Sequence, residues 1–342
     1  MTVSITAWTA LTPFGHGAKA FTDGMSRGEP APLTSTQDDW AQAQARVVPD
    51  FDIVEQLGRK GTSSMDRTSA LAIATLRALA DEVQVDERTG VVLGTTSGSA
   101  RTQFEFTRDS LTRRKPYLVN PAQMPFALMN SAAAQCALWH GLTGPNSTIA
   151  AGRAAGPAVL RYAARLLAAG RASGVVAGAV EEHSGARELL GSGGILGEAC
   201  ALLFLQTGAG GNRPALAEVV AVDTRFGEPR RALEESLRHG LSGLSVDEVW
   251  GVAISSGDPG LSEVEREVAG EVLGQQVTVV RPGHLIGDTG AASGLLGVAA
   301  LLAAAEVDPG ARERLAVVTS ADRDGAVGCV VLRLAGSHRR GE

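Results

Sequence analysis

Residues 144–157 read GPNSTIAAGRAAGP and run directly into AVLRYAARLLAAG at 158–170. A β-branched run, a glycine turn and an Ala/Leu-rich run place a strand, a turn and a helix start in one short stretch. Everything at the junction is small except Arg153. Outward from it the same alternation repeats. GVVLGTTSG (90–98), GVVAGAVE (174–181), ALLFLQ (201–206), EVWGVAISSGD (248–258), QVTVVRPGH (276–284) and LAVVTSA (315–321) have strand character. SMDRTSALAIATLRALADE (64–82), PFALMNSAAAQCALWHGL (125–142), EVEREVAGEVL (263–273) and GAASGLLGVAALLAAAE (290–306) have helix character. Such alternation predicts α/β layers with mostly buried strands.

An internal echo refines this. GEACALLFLQ (197–206) closes the first half as VGCVVLRL (327–334) closes the second, with Cys200 and Cys329 at matching positions. VSITAWTAL (3–11) and LAEVVAVDT (216–224) open the two halves. The chain is therefore expected to be a duplicated α/β unit, halves 1–206 and 207–342, with its seam near TGAGGNRP (207–214).

With 342 residues, 44% of them hydrophobic, the chain can bury a large core. Its formal net charge of -6 is mixed along the chain, so no electrostatic footprint for nucleic acid is expected. The start, MTVSITAWTALTPFG, has no basic leader, and no apolar run reaches the roughly 18 residues that span a bilayer; GLLGVAALLAAAEV (294–307) comes closest. A cytoplasmic protein without membrane contact is expected. Cys136, Cys200 and Cys329 form neither a disulfide framework nor a metal pair and read as reduced, buried residues.

The search for chemistry is mostly negative. No Walker-type loop, HExxH or GxGxxG after a strand occurs, so no cofactor and no metal are expected. GTTSGSA (94–100) reads as a tight strand-to-helix turn before it reads as an anion cradle. The histidines, at 16, 140, 183, 239, 284 and 338, have no partners at diagnostic spacing.

Taken together, the motifs resemble those of β-ketoacyl synthases of the thiolase superfamily. GPNSTIAAGRAAG is similar to the stretch around the family's nucleophile, close to GPxxxxxxACxSG. NPAQMPFALMNSAAAQCALWHGLTGP (120–145), VVAGAVEEHSG (175–185), RPGHLIGDTGAASG (281–294) and GCVVLRL (328–334) continue the likeness over nearly the whole chain. The resemblance implies a thiolase-like fold, duplicated halves in an α-β-α-β-α stack. It also implies that the catalytic set has been lost. Arg153 stands where the acylated cysteine would be, and a guanidinium has no lone pair to offer. VAISSGDPG (252–260) replaces a motif like EAHGTGT, so Ser255 or Ser256 occupies the place of the first histidine. His284 remains as the second, but the lysine five residues before it is Val279. ADRDGAVG (321–328) lacks the phenylalanine of the gate resembling GFGGTN.

A ketosynthase-like chain without its nucleophile resembles the chain-length factors, or ketosynthase β subunits, of type II polyketide synthases. Those subunits pair with a catalytic ketosynthase and share a tunnel that receives the growing chain from an acyl carrier protein. Arginine in place of their glutamine, and the shorter chain, point to the highly reducing, polyene-forming branch, of which the ishigamide pathway is an example. Ser97, Ala100 and Phe104, expected on one face of a helix, correspond to the far end of the tunnel, and Gln123 beside Met124 to an interface position. Arg153 is expected to plug the old pocket or to pair with Glu181, Glu182 or a group on the partner. Two rivals are a thiolase-like hydrolase or acyltransferase using Cys136 or His284, and a pure scaffold.

Overall fold

The run VSITAWTALT forms strand β1 (Val3–Thr12), and all ten of its residues are buried, as a strand covered on both faces requires. A computed structural model describes residues 2–191, 194–208 and 213–336. After β1 come β2 (Gly15–His16), α1 (Gly17–Arg27), the hairpin β3 (Thr34–Gln37) and β4 (Gln42–Ala45), α2 (Ile53–Leu57) and α3 (Arg67–Ala80). Then follow β5 (Gly90–Thr95), α4 (Ala100–Thr112), α5 (Ser131–His140), β6 (Asn146–Ala150), α6 (Ala155–Ala168), β7 (Gly174–Glu181), α7 (Gly185–Leu190) and β8 (Ala199–Thr207). The later part of the chain contributes β9 (Ala217–Phe226), α8 (Pro229–Gly240), β10 (Val249–Ile254), α9 (Pro259–Leu273) and β11 (Thr278–Val280). It ends with α10 (Pro282–Ile286), α11 (Ser293–Val307), β12 (Leu315–Ala321) and β13 (Ala326–Leu334).

The strands lie in the order β11-β10-β12-β13-β9-β1-β8-β7-β5-β6. Read outward from the centre, the arms β1-β8-β7-β5-β6 and β9-β13-β12-β10-β11 have one topology. In each arm the outer three strands are parallel and the inner contacts antiparallel. The arms join where Val3–Ile5 pairs with Ala217–Val219. Residues 209–212 of the expected seam lie outside the described residues. Cys200 and Cys329 sit in the matching strands β8 and β13, both buried.

The period-2 alternation of the strands sorts their side chains into layers. On one face of the first arm Val91, Leu93, Val176, Val180 and Leu202 pack beneath α3 and α5. On its other face Val92, Val175, Ala177, Ala179 and Leu203 meet α6 and α11, which also cover Ala253, Ala316, Val318 and Val330 of the second arm. Val252, Ile254, Val317 and Val331 turn outward beneath α8 and α9. The stack is thus α-β-α-β-α. The apolar stretch Gly290–Val307 is helical throughout, and 83% of it is buried in the central layer.

Two expectations need correction. The run 125–142 is not one helix. Asn120 caps a 3-10 turn, Pro121–Ala127, by accepting from the amide of Ala122 at 3.1 Å, Leu128 is extended, and α5 begins only at Ser131. Helix α8, absent from the sequence reading, starts at Pro229. Both Glu228 oxygens accept from the amides of Arg230 and Arg231, and Ala232, Leu233, Ser236, Leu237 and Gly240 face inward.

In the central layer, α6 and α11 touch backbone to backbone. A Cβ on Gly156 would lie 2.9 Å from the Cα of Gly294. Gly156→Ala should therefore destabilise by about 1–3 kcal/mol through overpacking. Gly260→Ala, also helical but meeting only an Asp258 oxygen at 3.5 Å, should be neutral or slightly stabilising. Urea-unfolding midpoints compare the two.

Candidate functional site at the strand β6 to helix α6 elbow

Strand β6 ends at Ala150, and the chain turns through Gly152 at φ 51 into a 3-10 turn, Gly152–Ala154, that leads into α6. Glycine suits the turn, because its φ is left-handed and a Cβ there would press on the Asp322 carboxylate. Arg153 follows, its side chain 11% exposed. Its Nε donates to Oδ1 of Asp288 at 3.2 Å, and its Nη2 to Oδ2 of the same carboxylate. Its Nη1 donates to Oδ1 of Asp322 at 3.2 Å, and its backbone amide to Oδ2 of Asp322 at 2.6 Å. Asp288 belongs to RPGHLIGDTG and Asp322 to ADRDGAVG, so three separate motifs converge on the elbow.

This corrects the expected pairing, because neither Glu181 nor Glu182 is the partner. Oε1 of Glu181 accepts from the hydroxyl of Thr95 and the amide of Thr96, and its Oε2 lies 3.7 Å from Nε of Arg187. Arg187, which the sequence reading missed, is buried and donates to the carbonyls of Glu182 (2.9 Å), Gly197 (2.8 Å) and Asp288 (2.8 Å). Burial acts to raise the Asp288 pKa. The charges of Arg153 and Arg187 outweigh it and hold the carboxyl below the ordinary aspartate range.

The remaining positions do not rebuild a catalytic set around Arg153. Ser255 and Ser256 are buried just beyond β10. The Ser255 hydroxyl donates to the carbonyl of Thr319, and the Ser256 hydroxyl accepts from the amide of Asp258 at 3.2 Å. Behind them lies Glu265, fully buried. It accepts from the amides of Ser255 (2.8 Å), Ser256 (3.4 Å) and Ala321 (3.0 Å) and from the hydroxyl of Thr319 (2.8 Å). Burial pushes its pKa up to about 8 against these donors. His284 is exposed on α10, whose other four residues are buried. Val279 is 49% exposed on the edge strand β11. Asp322 and Arg323 occupy the loop that follows β12, and Arg323 pairs with Asp258. Among the described residues no three His, Cys, Asp or Glu side chains converge as a metal site would need. The rival nucleophile Cys136 is buried in α5, and burial drives its thiol well above the ordinary cysteine range.

The positions linked to a tunnel gather elsewhere, on α4 and the turn beside it. Ser97 precedes the helix, which begins at Ala100 after the cap Ser99, so it does not share a helical face with the others. Ala100 is buried within the chain. The ring of Phe104 meets Trp40 of the β3–β4 hairpin edge-on, centroids 5.3 Å apart. Nε2 of Gln123 donates to Oε2 of Glu105 on α4 at 3.3 Å, and Met124 beside it is exposed.

Residues 1–198 match the family model described as the β-ketoacyl synthase N-terminal domain. The chain belongs to the β-ketoacyl synthase family. Within it, the ishigamide ketosynthase/chain length factor is 37% identical with a TM-score of 0.90, covering 98% of this chain and 100% of that one. The type II polyketide synthase acyl-carrier protein complex AntDE:AntF, with its ketosynthase bound to the hexaketide, shares 16% identity and a TM-score of 0.80. That match covers 98% of this chain and 99% of the other, and is a likeness of fold. The 3-oxoacyl-(acyl-carrier-protein) synthase 2 of Vibrio harveyi is 28% identical over 191 residues, 53% of this chain and 46% of that protein. The chain thus spans about half the length of the curated relatives it matches.

Arg153→Leu should destabilise on the order of 3 kcal/mol at pH 8, because it leaves the buried Asp288 without its bidentate partner. The pH dependence has a definite sign. In the native chain the Asp288 pKa is depressed, so its stabilisation is present above the ordinary aspartate range and lost as pH falls. Without Arg153 burial raises that pKa, so lowering the pH from 8 to 5 should narrow the deficit. Urea midpoints of both proteins at the two pH values measure it.

Proposed function

We propose that this chain is a non-catalytic ketosynthase-like subunit that pairs with an active ketosynthase and shapes the tunnel of a type II polyketide synthase. The observation that carries the reading is the elbow. A protonated guanidinium, held by two carboxylates, occupies the place of the nucleophile and has no lone pair for an acyl group. The Ser255 hydroxyl donates to the backbone and the Ser256 hydroxyl accepts from it, and a serine hydroxyl does not replace an imidazole that would stabilise an oxyanion. The 37% identity to the ishigamide ketosynthase/chain length factor supports the assignment to a chain-length factor and favours the polyene-forming branch.

A ketosynthase partner is supported by the outer edge of the first arm. Among the described residues strand β6 pairs with β5 alone, leaving its other edge open. Leu128, Met129 and Leu138 are exposed on α5 and the segment leading into it, and Met124 on the turn that packs against α5 and α4. An open strand edge beside exposed apolar side chains suits burial against a related chain. The growing chain would arrive on an acyl carrier protein, in the cytoplasm, with no nucleic acid or membrane involved. The halves 1–206 and 207–342 are the units of the duplication in this reading.

Two outcomes test it. Incubated with an acyl-loaded carrier protein, the purified chain should gain no mass, and in the co-expressed one-to-one complex the adduct should map to the ketosynthase alone. An acyl group mapped to this chain would overturn the assignment. Ala100 is already packed, so its enlargement would cost about 1–3 kcal/mol and is a poor probe of open space. Phe104→Ala is the better one. In an intact complex it should lengthen the product, read by mass spectrometry, whereas unchanged lengths would favour a pure scaffold.

A further inference from the structure

Two consecutive buried glutamates at the end of β7 hold the whole connection from β5 to α4. Glu181 takes the hydroxyl of Thr95 and the amide of Thr96. Glu182, 2% exposed, accepts at Oε1 from the Ser99 hydroxyl at 3.1 Å and from the Arg101 amide at 3.2 Å. Three amides at the start of α4 have partners. Thr102 donates its amide to the Ser99 hydroxyl at 3.3 Å, Gln103 donates to the Ser99 carbonyl at 3.1 Å, and Arg101 has Glu182.

A helix with a serine cap does not need a buried carboxyl to form. Ser99 satisfies one orphan donor, and on an exposed helix start water would satisfy the next. Here the second donor, the Arg101 amide, is bound by a buried side chain at the end of β7, which ties the first turn of α4 to that strand. We propose that Glu182 is a positioning residue that sets where α4 presents Phe104, and so which product length the tunnel accepts. This rests on the tunnel reading given above. Two features fit it. Burial, with Asp66 beside it, pushes the Glu182 pKa up to about 8, so the group is largely a neutral acid near pH 7. A neutral acid accepts through its carbonyl oxygen, as an amide does, which makes glutamine a close replacement and alanine a complete loss. Glu181 meanwhile ties the same connection to Arg187, and Arg187 binds the carbonyl of Asp288 that pairs with Arg153, so α4 and the elbow share one framework.

The test uses the complex with the co-expressed ketosynthase and two readouts, amide hydrogen exchange over residues 96–103 and product length. Glu182→Ala should speed exchange there by about tenfold or more, the loss of a buried hydrogen bond, and should shift or broaden the product distribution. Glu182→Gln should restore both, a rescue that a mere volume effect would share but an ionic role would not. Ser99→Ala, which removes both the hydroxyl that Glu182 accepts from and the cap on the Thr102 amide, should also speed exchange over residues 96–103 and serves if the alanine variant at 182 does not assemble. Unchanged exchange in Glu182→Ala overturns the clamp. Faster exchange with native product lengths, while Phe104→Ala alters them, overturns the link to length. If Phe104→Ala also leaves lengths unchanged, the tunnel reading itself has failed and the length role of Glu182 falls with it, the faster exchange still marking the clamp.

Discussion

The structure depends on the close approach of α6 and α11. Gly156 and Gly294 bring the two helix starts together at a separation no larger residue allows, and each helix is preceded by a glycine, Gly152 or Gly290, at φ 51. The two arms of the sheet therefore meet at their equivalent turns as well as through the pairing of β1 with β9. Everything that lines the elbow follows from this. Asp288 stands just before the second turn, and Asp322 follows β12. The packing of the central helices brings both to Arg153 across 135 and 169 residues of sequence.

A cation at a helix start is opposed by the partial positive charge of the backbone amides, a penalty of a few tenths to about 1 kcal/mol. The two carboxylates offset it. Asp322 does so twice, since one oxygen takes the Arg153 side chain and the other its amide, which is one of the donors the helix start leaves unpaired. Such a buried arrangement adds little net stability over apolar residues of the same volume, because desolvation consumes most of the attraction. Its effect is geometric. It fixes the loop after β12 against the elbow, while Glu265 fixes the ends of β10 and β12 against each other through four donors.

Much of this was legible in the sequence, and the parts that were not have physical reasons. The strands announced themselves because both faces are covered, so runs such as VSITAWTALT and GVVAGAVE are buried at every residue and, before the terminal Glu181, carry no charge. The duplication was visible because equivalent strands need equivalent small and β-branched residues, as around Cys200 and Cys329. Helix α8 was hidden because its outer face carries Arg230, Arg231, Glu234, Glu235 and Arg238, which lower its mean apolarity although the inward positions keep the helical period. The break at Leu128–Asn130 was hidden because an alanine-rich run follows, and only the 3-10 turn packed against α4 makes sense of it. At the site, the arginine among small residues was plain from one letter. The identity of the arginine's partners was not, because pairing across 135 residues is a property of the central helix packing and leaves no spacing to read. Glu181 and Glu182 were nearer in sequence and equally acidic, yet strand alternation and the end of β7 turn them toward the β5–α4 connection instead.

A chain that performs no condensation would have no evident need for so elaborate a framework around an empty nucleophile position. In the proposed role the need is clear. The tunnel wall contributed by this subunit hangs from β5 and β7, and these strands end at the same level as the elbow. Glu181 faces Arg187, Arg187 grips the Asp288 carbonyl, and the Asp288 carboxylate holds Arg153. Replacing the cysteine by a small neutral residue would have left Asp288 and Asp322 close together with one fewer positive charge between them, and their repulsion would act directly on the loops that set the wall. In the proposed role arginine both forgoes the chemistry and supplies that charge, with a fork that reaches both carboxylates. In this account the wall keeps its shape because the residue that replaced the nucleophile is the one that neutralises the charges around it.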